Sequence, residues 1–423
     1  MGASIQSVLA EGFTCPVRDV LWGHVYLTPR LSALTDSAPF MRLHRILQLG
    51  PVHRLYPGAT HTRASHSIGV YHLGRRLLQN LAERGADWIS GEGAMSFLCA
   101  CLLHDLGHFP YTHSLKELPL RPHESLTSET ILREPTRTLI AGCGADPELT
   151  AAIVDESLGG RAGGHGELLF YRKLLSGCLD PDKLDYLNRD ARYCGVPYGM
   201  QDVDFILSRL VPNRERGADI DSKLIPNVEA ILFAKYLMYR TVYWHRQVRA
   251  CTAMVKKALL EALESGSIAG GDLYGLDDHS LFTLLGEKTA NTTANELAEA
   301  VWRGGLFHAV AEIPYSEADH ACLRDIGRRS LYERRLAAEL GVGPGNLIID
   351  LPEPVSFETG LFVLDENRSF ADGSSSFKTE TLDSFVRTLY TIRIFVAPDF
   401  CKKVETLPRL CNILYIERSW LQI

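Results

Sequence analysis

The chain has 423 residues, 46% hydrophobic and 22% charged, which is too long for one compact core and balanced like a globular protein. A net charge of −7 leaves no broad basic footprint for nucleic acid, so local basic residues must hold any anionic ligand. No apolar run is long enough to span a bilayer, and the start, MGASIQSVLAEGFTC, lacks a signal peptide's basic region and apolar stretch, so a cytoplasmic protein without membrane contact is expected.

Gly2 is not an acylation site, because Gln6 stands where Ser or Thr is needed. The ten cysteines are scattered without CxxC pairs, which fits buried reduced thiols better than a zinc-thiolate site.

In chain order, residues 1 to 50 read as a short extended start and then a helix. TDSAPF offers a cap at Thr35 or Asp36, and FMRLHRILQLG carries apolar residues at helical spacing. YPGATHTRAS is a Pro/Gly loop. HSIGVYHLGRRLLQNLAERG is an amphipathic helix with Ile68, Tyr71, Leu77, Leu78 and Leu81 available to one side. A buried helix is expected from about Ala94 to Gly107, with Pro110 blocking its continuation. Residues 123 to 158 look helical, and SLGGRAGGHGE is a glycine-rich loop.

LLFYRKLLSG and PDKLDYLNRDARYCG are two further helices, the second capped by Asp180 with Pro181 at its first position. The run from Asn227 to Leu263 reads as one long central helical stretch. Beyond about residue 290, NLIIDLP, GLFVLDEN and TIRIFVAPDF are strand-like, and SFADGSSSFK is a polar loop. There is no internal repeat. The expected architecture is mainly α, with an N-terminal segment (1–50), a helical core (51–290) and a smaller C-terminal α/β (α+β) region (291–423).

CLLHDLGHFPYTH, residues 101 to 113, carries the densest chemistry. A lone histidine on an apolar face is usually a core residue with a backbone partner. A His-Asp pair followed by His108, His113 and His123 is poorly explained that way, because burying so many polar groups is costly without a shared ligand. His66, His104, Asp105 and Asp182 form a mixed imidazole and carboxylate set that suits iron, manganese or zinc.

Asp182, Tyr186 and Asp190 are spaced i, i+4, i+8 and share one helix face, with Lys183 beside the first. Asp185 and Arg189 read as an i, i+4 pair on a solvated face. Arg240, His245, Arg246 and Arg249 lie among aromatics, a combination that suits phosphates and a stacked base.

Together these residues resemble the HD-domain phosphohydrolases, whose H…HD…D pattern is met in order by His66, His104 with Asp105, and Asp182. The likeness is closer to the deoxynucleoside triphosphate triphosphohydrolases, the SAM- and HD-domain enzyme and its bacterial relatives. It rests on LQLG, YPGATHTRASHSIGVYHL, LLHDLGHFPYTH, HE and DPDKLDYLNRDA, between about residues 36 and 250.

The resemblance implies an HD helical core in which His66, His104, Asp105 and Asp182 hold a transition metal, with Mg2+ or Mn2+ accompanying the substrate phosphates. It implies that Arg63, Lys183 and Tyr186 contact a triphosphate, with Arg240 and His245 in the same site. Gln48 and Leu49 would sit by the deoxyribose and Asp190 at the 3′-hydroxyl. His108, His113 and His123 would surround the α-phosphate, one as general acid. The implied reaction releases a deoxynucleoside and inorganic triphosphate. The same centre would serve a nucleotidase or phosphodiesterase on another nucleotide, or a nucleotide-sensing regulator without turnover. A homo-oligomer, dimer or tetramer, is also implied.

Several positions depart from the pattern. Lys116 stands where the SAM- and HD-domain enzyme has an acid that orients its catalytic histidine. Thr241 replaces a phosphate-binding arginine, leaving Arg240 or Arg249 to substitute, and Arg249 falls at a sugar-contacting tyrosine. Asp36 fits the base-reading acid of a guanine-nucleotide activator pocket. Met41, His44 and Cys15 replace that pocket's other polar contacts, so guanine-nucleotide activation is not expected.

Overall fold

The computed structural model describes residues 5–159, 166–373 and 376–405. The expected glycine-rich loop falls largely outside them, at 160–165.

The N-terminal segment holds a β-hairpin as well as helices. Cys15–Asp19 and Gly23–Leu27 pair antiparallel, with Val17 opposite Val25. Asp19 tightens the turn by accepting the amides of Leu21 (2.8 Å) and Trp22 (3.0 Å). The helix expected near residue 36 is two short ones, Pro29–Thr35 and Ala38–Leu43. Asp36 ends the first and Ser37 begins the second, so the expected cap position is off by one. The chain then bridges Leu47 to Thr62, which stops the helix short of LQLG.

Helices form the core. Arg63–Glu83 starts in a capping box between Thr62 and Ser65. Gly91–Leu103 is buried throughout from Gly93 to Leu103, and His104 is already its C-cap, so the HDLGH run lies in turns rather than in the helix. Residues 123–158 divide into His123–Leu132, Thr136–Gly142, Pro147–Val154 and a short 3-10 turn, broken where Pro135 and Pro147 withhold an amide. Pro181–Cys194 begins as expected: Asp180 accepts the Lys183 amide at 2.6 Å, and Gly195 ends the helix at φ 67°.

The long central stretch is not continuous. Ile225–Met238 runs into a π turn, Tyr239–Tyr243, and Arg246–Glu264 restarts after His245, whose backbone is extended and whose Nδ1 accepts the Gln247 amide.

The C-terminal region carries an antiparallel sheet in the order His308–Pro314, Thr391–Val396, Leu347–Asp350. The first of these strands was not anticipated. Alternation along the other two splits the core. Ile349, Ile392 and Ile394 pack with Leu336 and Leu340 of helix Ile326–Leu340, whereas Ile348 and Phe395 face Met254 and Leu259 of Arg246–Glu264. The result is a mainly helical chain with a smaller α+β region. No helix among the described residues is long and apolar enough to cross a membrane.

Candidate metal centre and active-site cavity

Three helix ends bring the expected ligands together. His66 lies in the first turn of Arg63–Glu83, His104 and Asp105 follow Gly91–Leu103, and Asp182 lies in the first turn of Pro181–Cys194. His66 Nε2 is 2.9 Å from Asp182 Oδ1, and His104 Nε2 is 3.9 Å from the same oxygen. One donor atom from each of these three residues lies within 4.8 Å of the other two. Asp105 Oδ1 is 3.3 Å from His104 Nε2, while its Oδ2 accepts Arg63 Nη1 at 2.8 Å.

This donor set fits a divalent transition metal. The ring nitrogens facing away are engaged, His66 Nδ1 with Asp185 Oδ2 at 2.8 Å and His104 Nδ1 with the Cys101 carbonyl at 3.0 Å, which turns both Nε2 atoms to the centre. Burial alone would lower the His66 imidazole, but hydrogen bonds to Asp182 and Asp185 hold it up at about 10. Burial alone would raise Asp182, and His66 holds it at about 2. Asp105 stays well below the usual carboxylate range because His108, His104 and Arg63 outweigh its burial.

A second cluster adjoins the first through Asp105, whose Oδ1 is also 3.3 Å from His108 Nδ1. His108 Nε2 and His113 Nε2 are 3.0 Å apart, and the His108 and His123 rings are 3.8 Å apart. Local backbone explains the convergence. A Cβ on Gly107 would overlap the His123 carbonyl and come within 2.5 Å of the Thr127 amide, so only glycine lets the His123–Leu132 helix press against this turn. Tyr111 takes a left-handed backbone, φ 62°, just before His113. Arg42 fastens the turn by donating to the Leu106 (2.5 Å) and His108 (2.6 Å) carbonyls. Burial pushes His108 well below the usual imidazole range and His123 down to about 4. His113 keeps an edge open to solvent.

Both clusters line one cavity of about 480 Å3, a size suited to a small-molecule ligand. Gln48, Leu49, Arg63, Tyr186 and Asp190 line it as well. Gln48 Oε1 and Arg63 Nε are buried there without a hydrogen-bond partner, which calls for a ligand or water. Asp190 is held by His61 Nε2 (2.8 Å) and Tyr243 Oη (2.6 Å). The π turn presents Tyr239 and Tyr243 to the cavity, a common use of such an insertion.

Lys183, Arg240 and His245 do not line the cavity. Lys183 Nζ is tied to Asp180 (2.8 Å) and the Gly177 carbonyl (3.0 Å), and Arg240 donates to Tyr236 Oη. The cations that do line it, besides Arg63, are Lys116, Lys235, Arg249 and Lys256. Arg249 is fixed by a two-pronged pairing with Asp350 (2.8 and 2.5 Å), and Lys256 pairs with Glu117.

Asp185 and Arg189, expected on a solvated face, are fully buried, and Asp185 orients His66. An i, i+4 acid–base pair carries no sequence mark of burial. The only clue was its place one turn after a candidate ligand.

The chain matches the HD domain over residues 63–185 and the HD associated region over residues 207–420. It belongs to the HD-domain family. This HD-domain protein is 33% identical over 231 residues to the uncharacterized protein YwfO of Bacillus subtilis, covering 54% of this chain and 51% of that one. It is 28% identical over 306 residues to human deoxynucleoside triphosphate triphosphohydrolase SAMHD1, covering 64% and 49%. The chain thus spans about half the length of these curated relatives. Among solved structures, a hypothetical protein from Aquifex aeolicus superposes with a TM-score of 0.70 at 25% identity, covering 92% of this chain and 98% of that one. A phosphohydrolase from Bacteroides thetaiotaomicron superposes with a TM-score of 0.71 at 22% identity, covering 90% and 99%.

Proposed function

We propose that this HD-domain protein is a cytoplasmic, metal-dependent phosphohydrolase that converts deoxynucleoside triphosphates to deoxynucleosides and inorganic triphosphate. The observation that carries the reading is the meeting of the His66–His104–Asp182 set and the three-histidine cluster across Asp105 in one cavity. The relatedness to SAMHD1, a deoxynucleoside triphosphate triphosphohydrolase, supports the substrate class.

A transition metal at the first set supplies a Lewis acid and a water of lowered pKa. The chain's own groups do the rest. Asp105 separates the metal side from the proton-donor side. His113 or His123 gives a proton to the leaving 5′-oxygen, and the anionic substrate raises these imidazoles from their depressed values towards neutrality. Arg63 and Lys116 face the developing phosphoryl charge. Gln48 offers its free amide oxygen to a sugar hydroxyl, and Leu49 crowds a 2′-hydroxyl.

Purified protein incubated with each dNTP and Mn2+ should yield deoxynucleoside and triphosphate by chromatography. Release of only monophosphate or diphosphate refutes the proposal. One observation favours a second reading, a nucleotidase or phosphodiesterase: Lys183, Arg240 and His245 stay outside the cavity lining, which suits a shorter phosphate chain. Relative rates on dATP, ATP and dAMP separate the two.

A further inference from the structure

We propose that the hairpin Cys15–Leu27 is part of the metal centre, with Trp22 and Asp19 as positioning residues for ligand His66, so that metal binding and hairpin docking are coupled. The inference rests on the metal-centre reading above.

The connection is continuous. Asp185 accepts four N–H donors: His66 Nδ1 (2.8 Å), Arg189 Nε (2.8 Å), Arg189 Nη2 (2.9 Å) and Trp22 Nε1 (2.6 Å). Arg189 Nη1 continues to Asp19 Oδ2 at 2.9 Å, and the other Asp19 oxygen closes the hairpin turn. Asp185 and Arg189 are wholly buried. Two carboxylates around one guanidinium leave a net negative charge behind the His66 ring. That charge strengthens Nε2 as a metal donor and fixes the ring's direction.

The Trp22 indole also stacks on His72, 6.1 Å away at 27°, two turns along the helix that carries His66. Undocking the hairpin would remove one donor from Asp185 and the second carboxylate from Arg189, both of which are wholly buried while it is docked. A metal ion that needs His66 held in this direction therefore favours the docked hairpin, and by reciprocity the docked hairpin favours the metal.

The test uses the full chain with Mn2+ or Zn2+ as probe. Hydrogen exchange of residues 15–27 in the wild-type protein should slow when metal is added. Trp22→Phe, which keeps the ring and loses the N–H, should weaken metal affinity about tenfold in competition with a chelator. Added metal should raise the melting temperature of W22F by less than it raises that of the wild type, a difference that a purely structural role, equal with and without metal, would not produce. Equal metal affinity in W22F, or hairpin exchange indifferent to metal, overturns the coupling while leaving the metal centre intact. A wild-type protein that binds no divalent metal overturns both. The exchange arm needs no variant, so it decides the matter even if W22F is poorly folded.

Discussion

Gly69 lies in the helix that carries His66, and on helix propensity alone Gly69→Ala should stabilise the protein by about 1 kcal/mol. The packing predicts the opposite sign. A Cβ at this position would overlap Asp185 Oδ1 and Arg189 Nη2 and sit 2.6 Å from Asp185 Cγ. Neither side chain can swing into solvent, since both are wholly buried and held by hydrogen bonds. Overpacking costs about 1–3 kcal/mol, and separating a buried ion pair about 3–5 kcal/mol. Partial relaxation puts the cost where these ranges meet, at about 3 kcal/mol, and leaves a net loss of about 2 kcal/mol after the propensity gain. Urea unfolding followed by circular dichroism reads this as a lower midpoint for G69A, and chelator competition reads a weaker metal site. A variant that unfolds at the wild-type midpoint or above it would show that the helix, Asp185 and Arg189 do not meet as described.

Three further outcomes are expected. Replacing His104 and Asp105 together by alanine should remove both bound metal and activity, and wild-type metal content by elemental analysis would disprove the ligand set. Burial, Arg63, His123 and Lys116 hold His113 below its usual range, so Lys116→Gln should move the basic limb of the kcat/KM profile to higher pH. An unmoved limb counts against His113 as the acid. Asp278 is raised to about 6 by burial, against the Leu47 amide it accepts at 2.9 Å. Its folded-state proton is thus held more tightly than in the unfolded chain, and the stability it lends at low pH is lost as pH rises through about 6. Asp278→Asn should melt higher than wild type at pH 8, by roughly 1 kcal/mol of stability, and lose that advantage below about pH 4. Parallel melting curves at both pH values would contradict the assignment.

The metal-centre candidates were legible because their chemistry is unusual in sequence: His66, His104, Asp105 and Asp182 stand out as residues that apolar helices seldom bury. The Asp180–Pro181 start of a helix was legible for a local reason, since a cap needs only its neighbours. The break at Tyr239–Tyr243 was hidden, because the apolar pattern runs through it and one inserted residue leaves no compositional trace. His308–Pro314 escaped because its strand is half exposed and ends in proline. Lys183 sits beside Asp182 in sequence yet turns back to Asp180, a choice set by helix geometry rather than residue type. Trp22, the partner of Asp185, and Asp19, the partner of Arg189, each lie more than 160 residues from the residue they hold, beyond any local pattern.

The middle strand of the C-terminal sheet, Thr391–Val396, is the last of the three to be synthesised. Until it emerges, His308–Pro314 and Leu347–Asp350 are two strand edges with nothing between them, and Asp350, which anchors Arg249 at the cavity wall, sits on one of them. A chain that stops before residue 391 therefore carries an unfinished cavity wall together with open edges that invite proteolysis or aggregation. The arrangement ties completion of this cavity wall to the arrival of the Thr391–Val396 strand.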